Sequence, residues 1–300
     1  MKIASRSLSL LLVAVMLCAF VSVSAFAAKD STCAVIGANL SEDEIAEVYT
    51  MFGVPRGSVQ ELTVTNAEER AYLSGKISDS TIGTNSISCV YIEILPEGEG
   101  LHITCRNINW CTEAVYENAL VTAGIYDANV IIAAPFAVSG TAALTGIYKA
   151  YEDVTGKELD ETAKDTAVDE LLVTSDLAEE FGSADASMLV NELKGILDET
   201  QNMTDEELRA EILDIASQLG IELDDARIDD LVALVRRLEK LDSSALIEKV
   251  QEAQEAVRKV RDAAEKISEA KEGVSVVVEK VAHFFDSVAD FFRNLFGKKG

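Results

Sequence analysis

The residues best placed for chemistry lie in a run of small side chains between residues 134 and 146. Ser139, Gly140 and Thr141 stand where an apolar strand is expected to end and a helix to begin. Because the exposed amides of a helix start can bind an anion, these three residues form a candidate ligand or anion turn. The same small side chains would also let the helix pack closely on a sheet, and the composition of the run favours that second interpretation.

Catalytic residue types are scarce elsewhere. The two histidines that follow residue 27, His102 and His283, lie far apart in different predicted elements, and no nucleophile or acid can be assigned to either. The sequence lacks H-E-x-x-H, G-x-x-x-x-G-K-[ST] and G-x-G-x-x-G, and it has no His/Cys spacing typical of a metal site. We therefore predict no catalytic residue, no metal ion and no cofactor.

The first 27 residues predict export. Lys2 and Arg6 precede an uncharged, mostly apolar run of 14 residues from Leu8 to Val21, and Ala25 and Ala27 provide the small residues that signal peptidase accepts. The run is shorter than the ~20 residues that a membrane-spanning helix needs. Residues 1–27 are thus predicted to be a signal peptide cleaved near Ala27, which would make the mature protein secreted, either extracellular or associated with the cell envelope.

The predicted mature chain is strongly acidic. Removal of Lys2 and Arg6 from the 26 basic residues leaves 24 against 52 acidic ones, a net charge of −28. Such a surface repels phosphate backbones, so we expect no nucleic-acid partner. It suits a soluble exported protein.

Four cysteines follow the leader, and an even number in an exported chain permits two disulfides. Cys89 and Cys105 are expected on the two strands of one hairpin, diagonally placed, which is marginal for a disulfide. Free buried thiols are the alternative. The four candidates are Cys33, Cys89, Cys105 and Cys111.

Residues 28–155 alternate strand and helix patterns and predict an α/β domain. Ser41 and Glu44 form a capping box, and Asn66 with Glu69 is expected to open a second helix. Two strands, 87–95 and 101–108, flank a Pro/Gly turn and are expected to pair as a hairpin, which would give a mixed sheet. A further strand is predicted over 129–134, followed by a helix over 139–154.

Residues 156–300 are predicted to be helical, and no proline follows Pro135. Residues 156–242 predict an all-α region with helix starts at Asp185, Thr204 and Asp224. Residues 243–300 predict a long amphipathic helix, because fourteen of the fifteen positions taken in steps of four and three from Leu246 to Leu295 are apolar. This pattern is also typical of a coiled coil.

The last turns of this predicted helix are rich in phenylalanine. The structural interpretation is a helix that packs on its own chain or in an oligomer. The functional one is an amphipathic end that lies on a membrane surface or binds an envelope protein. The candidate contact residues are Phe284, Phe285, Phe291, Phe292 and Phe296.

The run from Val138 to Glu152 closely resembles the YpuA-like family of exported bacterial proteins, a domain of unknown function. Shorter matching stretches bring the resemblance to about residues 34–241. It implies a secreted or envelope-associated protein and supplies no catalytic residue. The matching stretches are Gly37–Ser41, Thr65–Glu69, Ile82–Thr84, Asn118–Ile125 and Leu177–Ala178.

These observations lead to one main hypothesis, an exported, non-enzymatic binding or structural protein at the bacterial cell envelope. Two alternatives stay open. One is an enzyme of unrecognised type with its site at the Pro135–Thr141 turn. The other is a membrane-surface protein held by its C-terminal helix.

Overall fold

The computed structural model describes residues 31–241 together with residues 246 and 247. The predicted signal peptide and most of the heptad-patterned segment, including the phenylalanines from Phe284 to Phe296, lie outside the described residues. Leu246 and Ile247 are helical and buried.

The described part contains five strands, which are β1 (Thr32–Gly37), β2 (Gln60–Val64), β3 (Cys89–Ile94), β4 (Leu101–Ile108) and β5 (Ala128–Val138). It also contains ten helices, which are α1 (Glu42–Phe52), α2 (Asn66–Leu73), α3 (Asp79–Ile82), α4 (Glu113–Thr122), α5 (Thr141–Thr155), α6 (Glu161–Phe181), α7 (Ser183–Gly195), α8 (Leu197–Thr200), α9 (Asp205–Gln218) and α10 (Asp225–Leu238). Among these helices, none is long and apolar enough to cross a membrane.

The five strands form one sheet in the order β2-β1-β3-β5-β4. Strands β1 and β2 are parallel, as are β4 and β5, whereas β3 is antiparallel to both of its neighbours, β1 and β5. Four strands therefore run in one direction and β3 runs against them. The predicted α/β class with a mixed sheet is confirmed.

The predicted hairpin is wrong. Strands β3 and β4 both form, but β5 lies between them and pairs with each. The turn that joins them passes across the start of β5 and is bonded to Asp127, whose Oδ1 accepts hydrogen bonds of 2.8 Å from the amides of Gly98 and Gly100. The Pro/Gly turn therefore forms where the sequence predicts it, but the two strands that it connects have β5 between them.

Helices cover both faces of the sheet, because its strands present apolar side chains on each face. On one face, α1 packs Val48, Tyr49 and Phe52 onto Ala34 and Tyr91. On the other face, α4, α5 and part of α6 enclose a larger core. A Cβ atom at Gly146 of α5 would lie 3.4 Å from Val90 and 3.5 Å from Val35, so the small residues of this helix do bring it close to the sheet.

Side-chain capping explains five of the ten described helix starts. The predicted capping box at Ser41 and the caps at Thr204 and Asp224 are confirmed. The predicted start at Asp185 is wrong, because α7 begins two residues earlier, directly after Gly182.

The cap of α2 is displaced by one residue from its predicted position. Thr65 is the cap, and its side chain and that of Glu68 bond to each other's backbone amides. Glu69 is therefore not used for capping α2.

The helical region has a second core, and α6 contributes to both cores, with Leu171 in the first and Leu177 in the second. Between α4, α6 and α7 lies an ion pair whose two side chains are fully buried. Lys194 Nζ lies 2.8 Å from Glu170 Oε1 and donates a 3.1 Å hydrogen bond to the carbonyl of Asn118. The hydroxyl of Thr122 donates to the other oxygen of Glu170. Each charge is thus compensated inside the protein.

Removal of one member of this pair should strongly destabilise the fold. Lys194→Met leaves the Glu170 carboxylate buried without its cation, which we expect to lower the free energy of unfolding by about 3–5 kcal/mol. The same change at the more exposed Lys149, which pairs with Glu68 at 2.6 Å, should cost about 1 kcal/mol or less. Urea unfolding measures both. Combining Lys194→Met with Glu170→Gln should recover much of the loss, and equal costs for the two lysine variants would contradict the assignment.

Candidate functional site

A cleft opens at the edge of the sheet where the four parallel strands end. Strand β5 extends beyond its last pairing with β3, which is Ala133 with Cys89, and its end leads through Ser139 into α5. The cleft has a volume of about 190 Å³. Its walls are Glu69 of α2, four residues between 82 and 88, and the five consecutive residues 138–142. We call it the Glu69 cleft.

The turn at Ser139 and Gly140 is held from outside α5. Tyr116, which is fully buried, donates a 2.6 Å hydrogen bond from its hydroxyl to the carbonyl of Gly140. The amide of Cys111 donates to the carbonyl of Ser139 at 3.1 Å. Gly140 has φ 98°, and a Cβ atom there would lie 2.5 Å from the Tyr116 hydroxyl and 2.6 Å from Ile108. Only glycine fits this position.

Glu69 forms the inner wall of the cleft and is 1% exposed. The hydroxyl of Thr141 donates a 2.8 Å hydrogen bond to Glu69 Oε1, and the side-chain amide of Asn66 lies 3.4 Å from Oε2. Burial raises the pKa of Glu69, while these two hydrogen bonds and the charge of Arg70 act in the opposite direction. Glu69 is therefore a carboxyl group whose charged form is less favourable than in water.

The position of Glu69 has a physical reason. Helix α5 has no acidic residue in its first turn, and its N-cap, Gly140, has no side chain to bond the free amides. A carboxylate near a helix N-terminus is favourable, and here Glu69 supplies it from α2. The sequence predicted the turn, but it assigned Glu69 to the cap of α2, a role that Glu68 fills instead.

Ser88 contributes a second polar group to the cleft. Its side chain lines the cleft and the residue is only 3% exposed. Within the described part of the chain, no hydrogen bond satisfies its hydroxyl. Ser139 lies on the opposite wall, with its hydroxyl 3.3 Å from that of Thr141. The predicted residues Ser139, Gly140 and Thr141 thus meet Ser88, which no sequence motif marked, and Glu69, which the sequence indicated only as a helix-capping residue.

None of the four cysteines lines the cleft, and all four are free thiols. Cys89 of β3 and Cys105 of β4 are separated by β5, which places their strands about 9–10 Å apart, too far for a disulfide. Burial raises the pKa of Cys33, Cys89 and Cys111 to about 12 and also raises that of Cys105. Protonated thiols are poor nucleophiles.

The other predicted residues add no chemistry to the cleft. His102 lies on β4, and His283 is outside the described residues. Between residues 31 and 241 and at 246–247, no group of three His, Cys, Asp or Glu side chains is arranged to hold a metal ion.

Substitution of Gly140 should destabilise the protein beyond the backbone cost alone. We expect Gly140→Ala to lower the free energy of unfolding by about 3 kcal/mol, because positive φ strain adds to the clash with Tyr116 and Ile108. Gly53 has φ 74° with open space around its Cβ position, so Gly53→Ala should cost only about 1 kcal/mol. Chemical denaturation measures both, and equal losses would show that the turn tolerates a side chain.

The pH dependence of stability should reveal the raised pKa of Glu69. Since its pKa is raised in the folded state, the folded chain binds this proton more tightly than the unfolded chain, and the wild type loses stability as the pH rises through that raised pKa. Glu69→Gln has no such proton to lose. In urea unfolding between pH 4 and 8, the stability of the variant relative to the wild type should therefore increase with pH and then level off. A constant difference would contradict a raised pKa.

Comparison with known proteins identifies the family. Residues 36–257 match the family described as "Protein of unknown function (DUF1002)". The uncharacterized protein YpuA of Bacillus subtilis (strain 168) is 38% identical over 213 residues, which cover 69% of this chain and 71% of that protein. No solved structure matches. The matched residues include every wall of the Glu69 cleft, and the chain belongs to the DUF1002 family, whose function is unknown.

Proposed function

We propose that this protein is an exported, non-enzymatic binding protein of the bacterial cell envelope. The α/β part would hold a ligand in the Glu69 cleft. Residues 243–300 would associate with a membrane surface, an envelope protein or a second copy of the chain. Export is supported by the leader pattern of residues 1–27, and solubility outside the cell is supported by the net charge of −26 for the whole chain.

One observation carries the binding function, namely that Glu69, Ser88 and Thr141 converge on one surface cleft. The cleft lies at the carboxyl ends of β1, β2, β4 and β5, the edge at which open α/β sheets place their ligands. Small-molecule sites combine apolar walls with a few fixed polar groups, and this cleft has both, with Ile82, Ile87 and Val138 among its walls. The Ser88 hydroxyl, which has no hydrogen-bond partner among the described residues, is free to bond a ligand or water in the cleft.

A second candidate function, an enzyme with its site at the Pro135–Thr141 turn, is favoured by the carboxyl group of Glu69. A buried carboxyl with a raised pKa beside a hydroxyl is suited to general acid or base catalysis. The two candidates differ in outcome, since a binding protein releases its ligand unchanged. We place binding first, because no second titratable group lines the cleft among the described residues.

The proposal predicts where the protein goes and what it needs to bind. Produced in Bacillus subtilis with its own leader, the chain should appear outside the cytoplasm with Ala28 as its first residue. Co-sedimentation of the mature chain with envelope fractions should fall about tenfold in Ser139→Phe, because the ring fills the cleft. Ser58→Phe, in the exposed loop before β2, is the matched control. Retention in the cytoplasm, or equal binding by both variants, would overturn the proposal.

Deletion of residues 274–300 in the same experiment distinguishes the roles of the C-terminal segment. A membrane role predicts that the deletion releases the protein from lipid vesicles. Self-association predicts a lower mass in solution. Unchanged behaviour in both measurements would remove residues 274–300 from the proposal and leave the cleft as the binding element.

A further inference from the structure

The Glu69 cleft presents hydrogen-bond donors on one side. The first amides of a helix have no acceptor within the helix, and α5 has no side-chain cap because Gly140 precedes it. The backbone at Thr141 and Ala142 therefore brings free amides to the cleft wall. Ser88 is an independent donor, since the residue is 97% buried, lines the same cleft and has no hydrogen-bond partner for its hydroxyl among the described residues.

The other side presents an acceptor. Each oxygen of the Glu69 carboxylate can accept two hydrogen bonds. Oε1 receives one from Thr141 at 2.8 Å, and Oε2 has only the 3.4 Å contact with Asn66. The Glu69 carboxylate thus keeps capacity for a donor that enters the cleft.

The charge of a ligand decides whether it can hydrogen-bond to both sides of the Glu69 cleft. An anion would bond the α5 amides but would lie beside the Glu69 carboxylate in a poorly solvated place, where like charges repel strongly. A cation would bond Glu69 but would meet the positive end of the α5 dipole. A neutral group that donates from one atom and accepts at another satisfies both walls without either repulsion.

We propose that the Glu69 cleft binds a neutral carboxamide, with its N–H directed to Glu69 and its carbonyl oxygen directed to the α5 amides and the Ser88 hydroxyl. This inference rests on the proposed binding function and names the ligand class. A carboxamide of this kind occurs in a peptide backbone and in an N-acetylated sugar. A volume of about 190 Å³ admits one such group with a few attached atoms.

The test uses three small molecules of nearly equal shape and different charge: acetamide, acetate and acetamidinium. Each is titrated into the mature chain at pH 8, well above the ordinary pKa of a glutamate side chain, while NMR follows the amide signals of Gly140, Thr141 and Ala142. Acetamide should shift these signals with saturation. Acetate and acetamidinium should bind at least about tenfold more weakly. Tighter binding of either ion would overturn the carboxamide assignment and leave the binding function standing.

Two variants check the role of each wall. Glu69→Gln removes the negative charge, so acetate should gain affinity relative to acetamide. Ser88→Ala should weaken acetamide severalfold, whereas Ser58→Ala in the exposed loop should leave it unchanged. If Glu69→Gln fails to fold, the Ser88→Ala comparison decides the question. Unchanged selectivity in Glu69→Gln, or unchanged affinity in Ser88→Ala, would contradict the proposed orientation.

N-acetylglucosamine and N-acetylalanine amide distinguish the two sources of the carboxamide. Preferential shifts by one of them identify a sugar or a peptide as the natural carrier. If neither of these nor any of the three small molecules shifts the signals of residues 140–142, both the carboxamide assignment and the binding function of the cleft are overturned.

Discussion

The insertion of β5 between β3 and β4 is the constraint on which the rest of the molecule depends. β5 has eleven residues and β3 has six, so the end of β5 continues past its neighbour. The continuation opens the space that becomes the Glu69 cleft and directs the chain into α5 at Gly140. Asp127 fixes the beginning of the same strand by bonding the turn that crosses it. The position of the cleft is thus a result of strand length.

Two buried acids serve the structure in different ways. Glu170 is paired with Lys194, and both side chains are sealed from solvent, so their bonds are complete within the protein. Glu69 is equally buried but faces a cleft, and its nearest partners are neutral donors. The first arrangement fixes α6 against α7. The second offers an incompletely satisfied acceptor at the surface, which is why it was the better candidate for a ligand.

The sequence was informative about local structure and uninformative about long-range pairing. Capping patterns at Ser41, Thr204 and Asp224 depend on neighbours a few residues away, and these predictions were confirmed. The pairing of β5 depends on residues far along the chain, so a turn pattern suggested a hairpin that does not exist. For the site, Ser139–Thr141 carried a signal, whereas Glu69 acquires its role only when the fold brings α2 to the start of α5.

The strand order also determines which segment completes the sheet. Among the described strands, β4 pairs with β5 alone, and β5 follows it in the sequence after a whole helix. Residues 101–108 therefore join the sheet through β5 alone, whereas β1, β2 and β3 pair with one another on the other side of it. A chain truncated before β5 would consequently lose the strand that joins β4 to the sheet, and with it the residues 138–142 that form one wall of the cleft.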